Sequence, residues 1–91
     1  MKRHVRVVLY TKADCGLCEK MKEQIKLANC DELYTLEELD IEKDAEVFTR
    51  YQYEIPVLCI NGVEAFRHRL SAEAFREYVT SLASDAGRFE V

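Results

Sequence analysis

The sequence predicts a single α/β domain on a mixed four-stranded sheet with helices on both faces, in the order strand, helix, strand, helix, strand, strand, helix. Three observations carry that prediction. A Val-rich run opens the chain and becomes nearly continuous at Val7-Val8-Leu9-Tyr10, which suits a strand buried on both faces in the middle of a sheet. An amphipathic helical segment follows, with Cys15-Gly16-Leu17-Cys18 at its start. Further on, Asn61-Gly62 separates two short β-rich runs, and this dipeptide readily takes the two positive φ angles of a tight hairpin. A strand-helix-strand crossover makes a right-handed parallel unit, whereas a hairpin adds an antiparallel pair, so the sheet is mixed.

The first strand is expected over residues 4–10, stopping at Thr11. After a turn, Leu17, Met21, Ile25 and Ala28 recur at helical spacing, with Lys20, Lys22, Glu23 and Lys26 elsewhere around the wheel, predicting a helix over residues 15–29. Residues 33–41 alternate unevenly and read as a second strand with Leu36, Leu39 and Ile41 as core contacts, a helix being the alternative. Asp44 can cap a short helix carrying Ala45, Val47, Phe48 and Tyr51. That helix must end near Tyr53, because the residue before Pro56 is pushed out of the helical region. Residues 57–60 and 63–67 form the hairpin. Ser71 then starts a last helix, with Glu73 in its first turn, where the dipole favours an acid, and Phe75, Tyr78, Val79 and Leu82 as its buried stripe. The domain is expected to span residues 1–84, with residues 85–91 as a loose tail.

With 91 residues, 48% hydrophobic and 33% charged, the chain has the balance of a compact protein rather than a disordered one. A formal net charge of −4 provides no general attraction to phosphate backbones or anionic lipid, so neither nucleic acid nor membrane is an expected partner. The acidic stretch over residues 37–44 reads as a solvated face. No apolar run is long enough to cross a bilayer, and the first residues lack the apolar region of a secretory signal. The expected compartment is therefore the cytoplasm, and the expected state a monomer. In a reducing compartment, four cysteines are better read as one reactive pair plus core thiols than as two structural disulfides.

Spacing picks Cys15 and Cys18 as the pair. Three residues apart at a helix mouth, their side chains meet across the first turn, so a reversible disulfide is geometrically easy. The helix amides and dipole favour negative charge on Cys15, Lys12 adds to that, and Asp14 opposes it, for a net downward shift of its pKa. A lower pKa enlarges the thiolate fraction but weakens the nucleophile with a Brønsted slope of about 0.4–0.5. Attack therefore gains only a few-fold, and the larger benefit comes when Cys15 leaves. Cys15 is assigned attack and Cys18 resolution of the mixed disulfide. The competing reading is half of a zinc site completed by Cys30, Cys59, His4 or His68, but no second close-spaced ligand pair exists in the sequence. No metal is assigned. Cys30 and Cys59 read as core or boundary thiols, and Tyr10, Phe48, Tyr51, Tyr53 and Phe75 as core rather than a ligand platform.

The segment from Val7 through Lys12 to Cys18 resembles the active-site segment of glutaredoxins, including a Lys three residues before the first Cys. Glu54-Ile55-Pro56 is similar to the Thr-Val-Pro segment of that family, followed by residues 57–60 and the Asn61-Gly62 turn at the usual spacing. The resemblance covers roughly residues 5–82 and implies a thioredoxin-like fold. It also implies thiol-disulfide exchange through Cys15 and Cys18, with no bound cofactor and glutathione as co-substrate. Its substrates would be disulfide-containing proteins or glutathione mixed disulfides. For Pro56 it implies a cis peptide bond facing the cysteine pair, with the Ile55 backbone free to pair with an extended substrate, and for Lys12 a contact with the glycyl carboxylate of glutathione. The chain departs from the family after the hairpin. Phe66-Arg67-His68-Arg69 stands where glutaredoxins carry Gly-Gly, so large side chains replace the close backbone approach that glycine allows. Arg67, His68 and Arg69 either bind a carboxylate or phosphate of a different substrate or form the exposed face of an edge strand. Gly16 replaces the proline common between glutaredoxin cysteines and resembles variants that hold a two-iron two-sulfur cluster on the first Cys, which makes cluster binding or carriage the alternative function.

Overall fold

The computed structural model describes residues 4–83. Strands β1 (Val5–Thr11), β2 (Tyr34–Asp40), β3 (Val57–Ile60) and β4 (Val63–Arg67) form one sheet in the order β2-β1-β3-β4. β1 and β2 run parallel, and the β1–β3 and β3–β4 pairs are antiparallel. With α1 (Gly16–Leu27), α2 (Ala45–Tyr51) and α3 (Ala72–Ala83), this is the expected mixed α/β architecture.

β1 is central because both of its edges are paired. Val5, Val7 and Leu9 are fully buried and join Leu58 and Ile60 of β3 against Met21 and Ile25 of α1 and Phe75 and Val79 of α3. Each such side chain contributes about 1.5–3 kcal/mol by leaving water. Val8 and Tyr10 point to the other face and are half-buried. There the Tyr10 ring meets that of Tyr51 on α2, centroids 4.7 Å apart. Cover on this second face is incomplete because α2 has only seven residues, none of them fully buried.

Several boundaries differ from expectation for local reasons. β1 runs one residue further, because Thr11 pairs with Asp40. α1 ends at Leu27 with Ala28 as its C-cap, and Asn29 turns left-handed at φ 53°, a conformation Asn tolerates better than most residues. The inward stripe of α1 begins at Cys18 rather than Leu17, and Leu17 is 42% exposed. One residue turns a helix by about 100°, so the two cannot share the inward position. Parallel pairing from Val5↔Tyr34 to Thr11↔Asp40 excludes the helical alternative for β2. Its uneven alternation reflects its place at the sheet edge. Leu33 and Ile41, expected within that strand, lie in 3₁₀ turns at its two ends (Asp31–Leu33 and Ile41–Lys43), and Ile41 is still fully buried.

The hairpin forms as expected, with Asn61 at φ 51° and Gly62 at φ 83°. Asn61 is also tied to β1: its Oδ1 accepts from the Arg6 amide at 2.9 Å and its own N–H donates to the Arg6 carbonyl at 2.8 Å. A register shift between Leu58 and Cys59 gives β4 one extra residue, which no sequence signal announced. Ser71 caps α3 by accepting from the Ala74 amide at 3.1 Å. The tail expected over residues 85–91 lies outside the described residues.

Candidate active site

The residues singled out for chemistry converge on one end of the sheet. Tyr10 pairs with Val57, and Val57 with Arg67. The chain leaving β1 toward Cys15, the chain entering β3 through Ile55 and Pro56, and the chain leaving β4 at His68 are therefore neighbours.

Cys15 is the N-cap of α1, in extended conformation at φ −111°, ψ 104°. Its Sγ accepts from the Cys18 amide at 3.2 Å and its carbonyl accepts from the Glu19 amide at 3.1 Å. The sulfur thus occupies the place usually taken by a capping oxygen, where the first-turn N–H groups and the helix dipole favour negative charge. Cys15 and Cys18 form a disulfide with Cα atoms 5.2 Å apart, within the ordinary range. Their exposure is unequal: Cys15 is half-buried and Cys18 is fully buried. Lys12 is half-buried just beyond β1 and takes part in no ion pair among the described residues.

The Ile55–Pro56 peptide is cis, as the resemblance implies. Pro56 is buried, and its carbonyl accepts from the His68 amide at 2.7 Å. The expectation of a free Ile55 backbone holds for only half of it. The Ile55 N–H already donates to the Tyr51 carbonyl at 3.1 Å, closing the end of α2. Its carbonyl has no partner among the described residues.

Arg67, His68 and Arg69 do not act as a unit. Arg67 bridges two carboxylates, Glu54 through Nη1 at 2.6 Å and Glu64 through Nη2 at 2.6 Å and Nε at 2.8 Å. It thereby ties the segment before Pro56 to β4. The sequence offered no signal for this clamp, because Glu54 and Arg67 come together only once the hairpin has formed. His68 adopts φ 70°, and its Nε2 lies 3.8 Å from Glu54 Oε1. Arg69 is exposed and without an ion pair among the described residues. His68, Arg69 and Leu70 face Leu17, Lys20 and Met21 of α1 across a cavity of about 380 Å³. The sequence placed Leu17 in the core; the structure puts it at this opening beside the cysteine pair.

Cys30 is buried and Cys59 half-buried, in keeping with core and boundary thiols. Burial raises the pKa of both, with nearby Glu64 adding to the effect at Cys59. Among the described residues no three His, Cys, Asp or Glu side chains gather closely enough to hold a metal ion, so the ligands considered for zinc do not assemble around the pair. Tyr53, expected in the core, is 82% exposed, because α2 ends before it. No helix among the described residues is long and apolar enough to cross a membrane.

Comparison with known proteins agrees with this geometry. A family model described as "Glutaredoxin-like domain (DUF836)" matches residues 6–80. The chain is 27% identical over 77 residues to "Glutaredoxin-like protein YDR286C homolog" from Dictyostelium discoideum, covering 78% of this chain and 71% of that protein. Among solved structures, protein XcR50 from X. campestris superposes with a TM-score of 0.70 at 23% identity, over 82% of this chain and 96% of that one. A mutant thioredoxin from Halobacterium salinarum gives a TM-score of 0.63 at 12% identity, over 89% and 76% of the two chains. Fasciola hepatica thioredoxin gives 0.59 at 22% identity, over 89% and 83%. These structural likenesses establish the thioredoxin fold, and a Cys15–Cys18 pair at disulfide distance on that fold fits a thiol-disulfide redox role. With the family model spanning most of its length, the chain belongs to the glutaredoxin-like family of the thioredoxin-fold superfamily.

Proposed function

We propose that the protein is a thiol-disulfide oxidoreductase that reduces disulfide-containing proteins or glutathione mixed disulfides. The observation that carries this reading is the asymmetry of the pair: Cys15 is reachable and caps α1 with the Cys18 N–H aimed at its sulfur, while Cys18 is buried behind it. The Cys15 thiolate attacks one substrate sulfur, forming a mixed disulfide and releasing the other sulfur as a thiolate that takes up a proton. Cys18 then loses its proton and attacks the Cys15 sulfur, forming the Cys15–Cys18 disulfide and expelling the second substrate thiolate. Two electrons have passed to the substrate. A thiol reductant, either two molecules of glutathione or one dithiol, returns the pair to its reduced form. Because the attack by Cys18 is intramolecular, it outcompetes external thiols at ordinary concentrations.

In this reading the cis Pro56 shapes the wall beside the pair, and the open Ile55 carbonyl accepts a backbone N–H from an extended substrate. Lys12 meets a substrate carboxylate, the glycyl end when glutathione is bound.

The test is reduction of a glutathionylated peptide with glutathione as the only electron source. Cys15→Ser is expected to lose about a thousandfold or more in turnover, while Cys18→Ser retains a monothiol route through Cys15. Full activity in Cys15→Ser overturns the assignment of the nucleophile. If the wild type fails with glutathione yet reduces the peptide with a dithiol donor, the disulfide chemistry stands and glutathione is not its donor.

A further inference from the structure

The cavity beside the cysteine pair carries more positive charge than the rest of the molecule would suggest. On a chain of net charge −4, Lys20 and Arg69 both face this opening, and neither has an ion-pair partner among the described residues. His68 lines the same wall, and Glu23 is the one carboxylate there. Leu17, 42% exposed and two residues after Cys15 in the chain, lines this cavity with an apolar side chain. At about 380 Å³ the cavity lies toward the small end of ligand sites, which span about 300–1,000 Å³. It suits a side chain or two of a bound peptide.

Since Cys18 is buried and Cys15 half-buried, a substrate disulfide reacts at Cys15, and a polypeptide doing so brings its neighbouring residues close to Leu17, two residues along the chain. We infer that the protein prefers polypeptide disulfides with an acidic residue beside the reacting cysteine, whose carboxylate docks between Lys20 and Arg69. This inference rests on the oxidoreductase reading above and adds its substrate class. Arg69 offers a fork that matches a carboxylate, and Lys20 a second charge across the cavity. A basic residue at the same position would face two cations against the single carboxylate of Glu23. Arg67, whose donors are taken by Glu54 and Glu64, takes no part.

The test uses pre-reduced protein freed of reductant and mixed with disulfide-bridged peptides that differ at one position beside the cysteine: Asp, Asn or Lys. The single-turnover rate of Cys15–Cys18 oxidation is read, with bis(2-hydroxyethyl) disulfide as a small uncharged comparison. The Asp peptide is expected to react about three- to tenfold faster than the Asn peptide at low ionic strength and the Lys peptide more slowly than either, with the spread shrinking as salt screens the contact. In the double variant Lys20→Gln/Arg69→Gln, the Asp-to-Asn ratio should fall to about one; as a ratio within one protein, it is insensitive to changes in overall rate. Equal rates for the three peptides overturn the inference while leaving the oxidoreductase reading intact, provided the small disulfide is reduced. An Asp preference that survives in the double variant overturns the assignment to this cavity and moves it elsewhere, with Lys12 the next cation to test. No reaction with any disulfide overturns the functional reading itself.

Discussion

At the scale of a single residue, His68 shows how the site constrains the backbone. Its φ of 70° lies in the left-handed region, which costs a side chain with a Cβ about 1–2 kcal/mol. The residue is held there by the hydrogen bond from its N–H to the Pro56 carbonyl at 2.7 Å, which any residue's backbone could make. Its side chain is 46% exposed, so little packing depends on it. His68→Gly is therefore expected to stabilise the fold by about 0.5–1 kcal/mol, after allowing for the greater chain entropy of glycine, raising Tm by about 2–8 °C. A lower Tm in that variant refutes the strain reading. The basic run at residues 67–69 was legible in the sequence, but the strained turn was not, because the Pro56 carbonyl that holds it comes within reach of His68 only once β3 and β4 are paired.

At the scale of an element, α2 depends on its cap. Seven residues with no fully buried side chain give little hydrophobic support, and helices this short do not hold themselves together in water. Asp44 Oδ1 accepts from the amides of Glu46 at 3.0 Å and Val47 at 3.1 Å, satisfying two of the first-turn donors. Asp44→Ala is expected to cost about 1 kcal/mol, with amide hydrogen exchange accelerated first in residues 45–52. Since the Ile55 amide is bonded to the last residue of α2, loosening this helix should also raise KM for polypeptide disulfides more than it changes alkylation of Cys15. Uniform acceleration of exchange across the whole sheet would show instead that α2 unfolds only with the rest of the domain. The cap was readable in advance, since Asp before an apolar-periodic segment is a start signal. The Glu54–Arg67–Glu64 clamp beside it was not: Glu64 and Arg67 share β4, but Glu54, 13 residues from Arg67, reaches it only once the hairpin has folded.

At the scale of the whole molecule, burial sets the response to alkaline pH. Cys30, Cys59, Tyr10 and Tyr34 all have pKa values raised mainly by desolvation. A group whose folded pKa lies above its unfolded value binds more protons in the native state once pH exceeds the unfolded value. Stability is then full below that value and falls as pH rises. The decline is expected to begin near pH 8.5, where unfolded thiols titrate, and to steepen near pH 10 as tyrosines join. Thermal unfolding from pH 7 to 10.5 should show this, and Cys30→Ala/Cys59→Ala should flatten the earlier part of the fall. An unchanged slope in that variant would refute the contribution of the two thiols. The same burial makes both thiols poor nucleophiles at neutral pH, so a limiting amount of alkylating agent should mark Cys15 in the reduced protein before either.

The sequence alone determined the class of fold and which two of the four cysteines lie at disulfide distance. Hydrophobic periodicity, the Asn61-Gly62 dipeptide and the cysteine spacing are local properties, each enforced by the geometry of a strand, a turn or a single turn of helix. Only the tertiary structure decided which surfaces surround that pair. Whether Leu17 or Cys18 faces inward depends on how α1 is rotated against the sheet. Whether Arg67 is tied down while Arg69 stays open depends on which carboxylates the hairpin brings within reach, because contacts between residues distant in the chain follow from packing rather than from spacing.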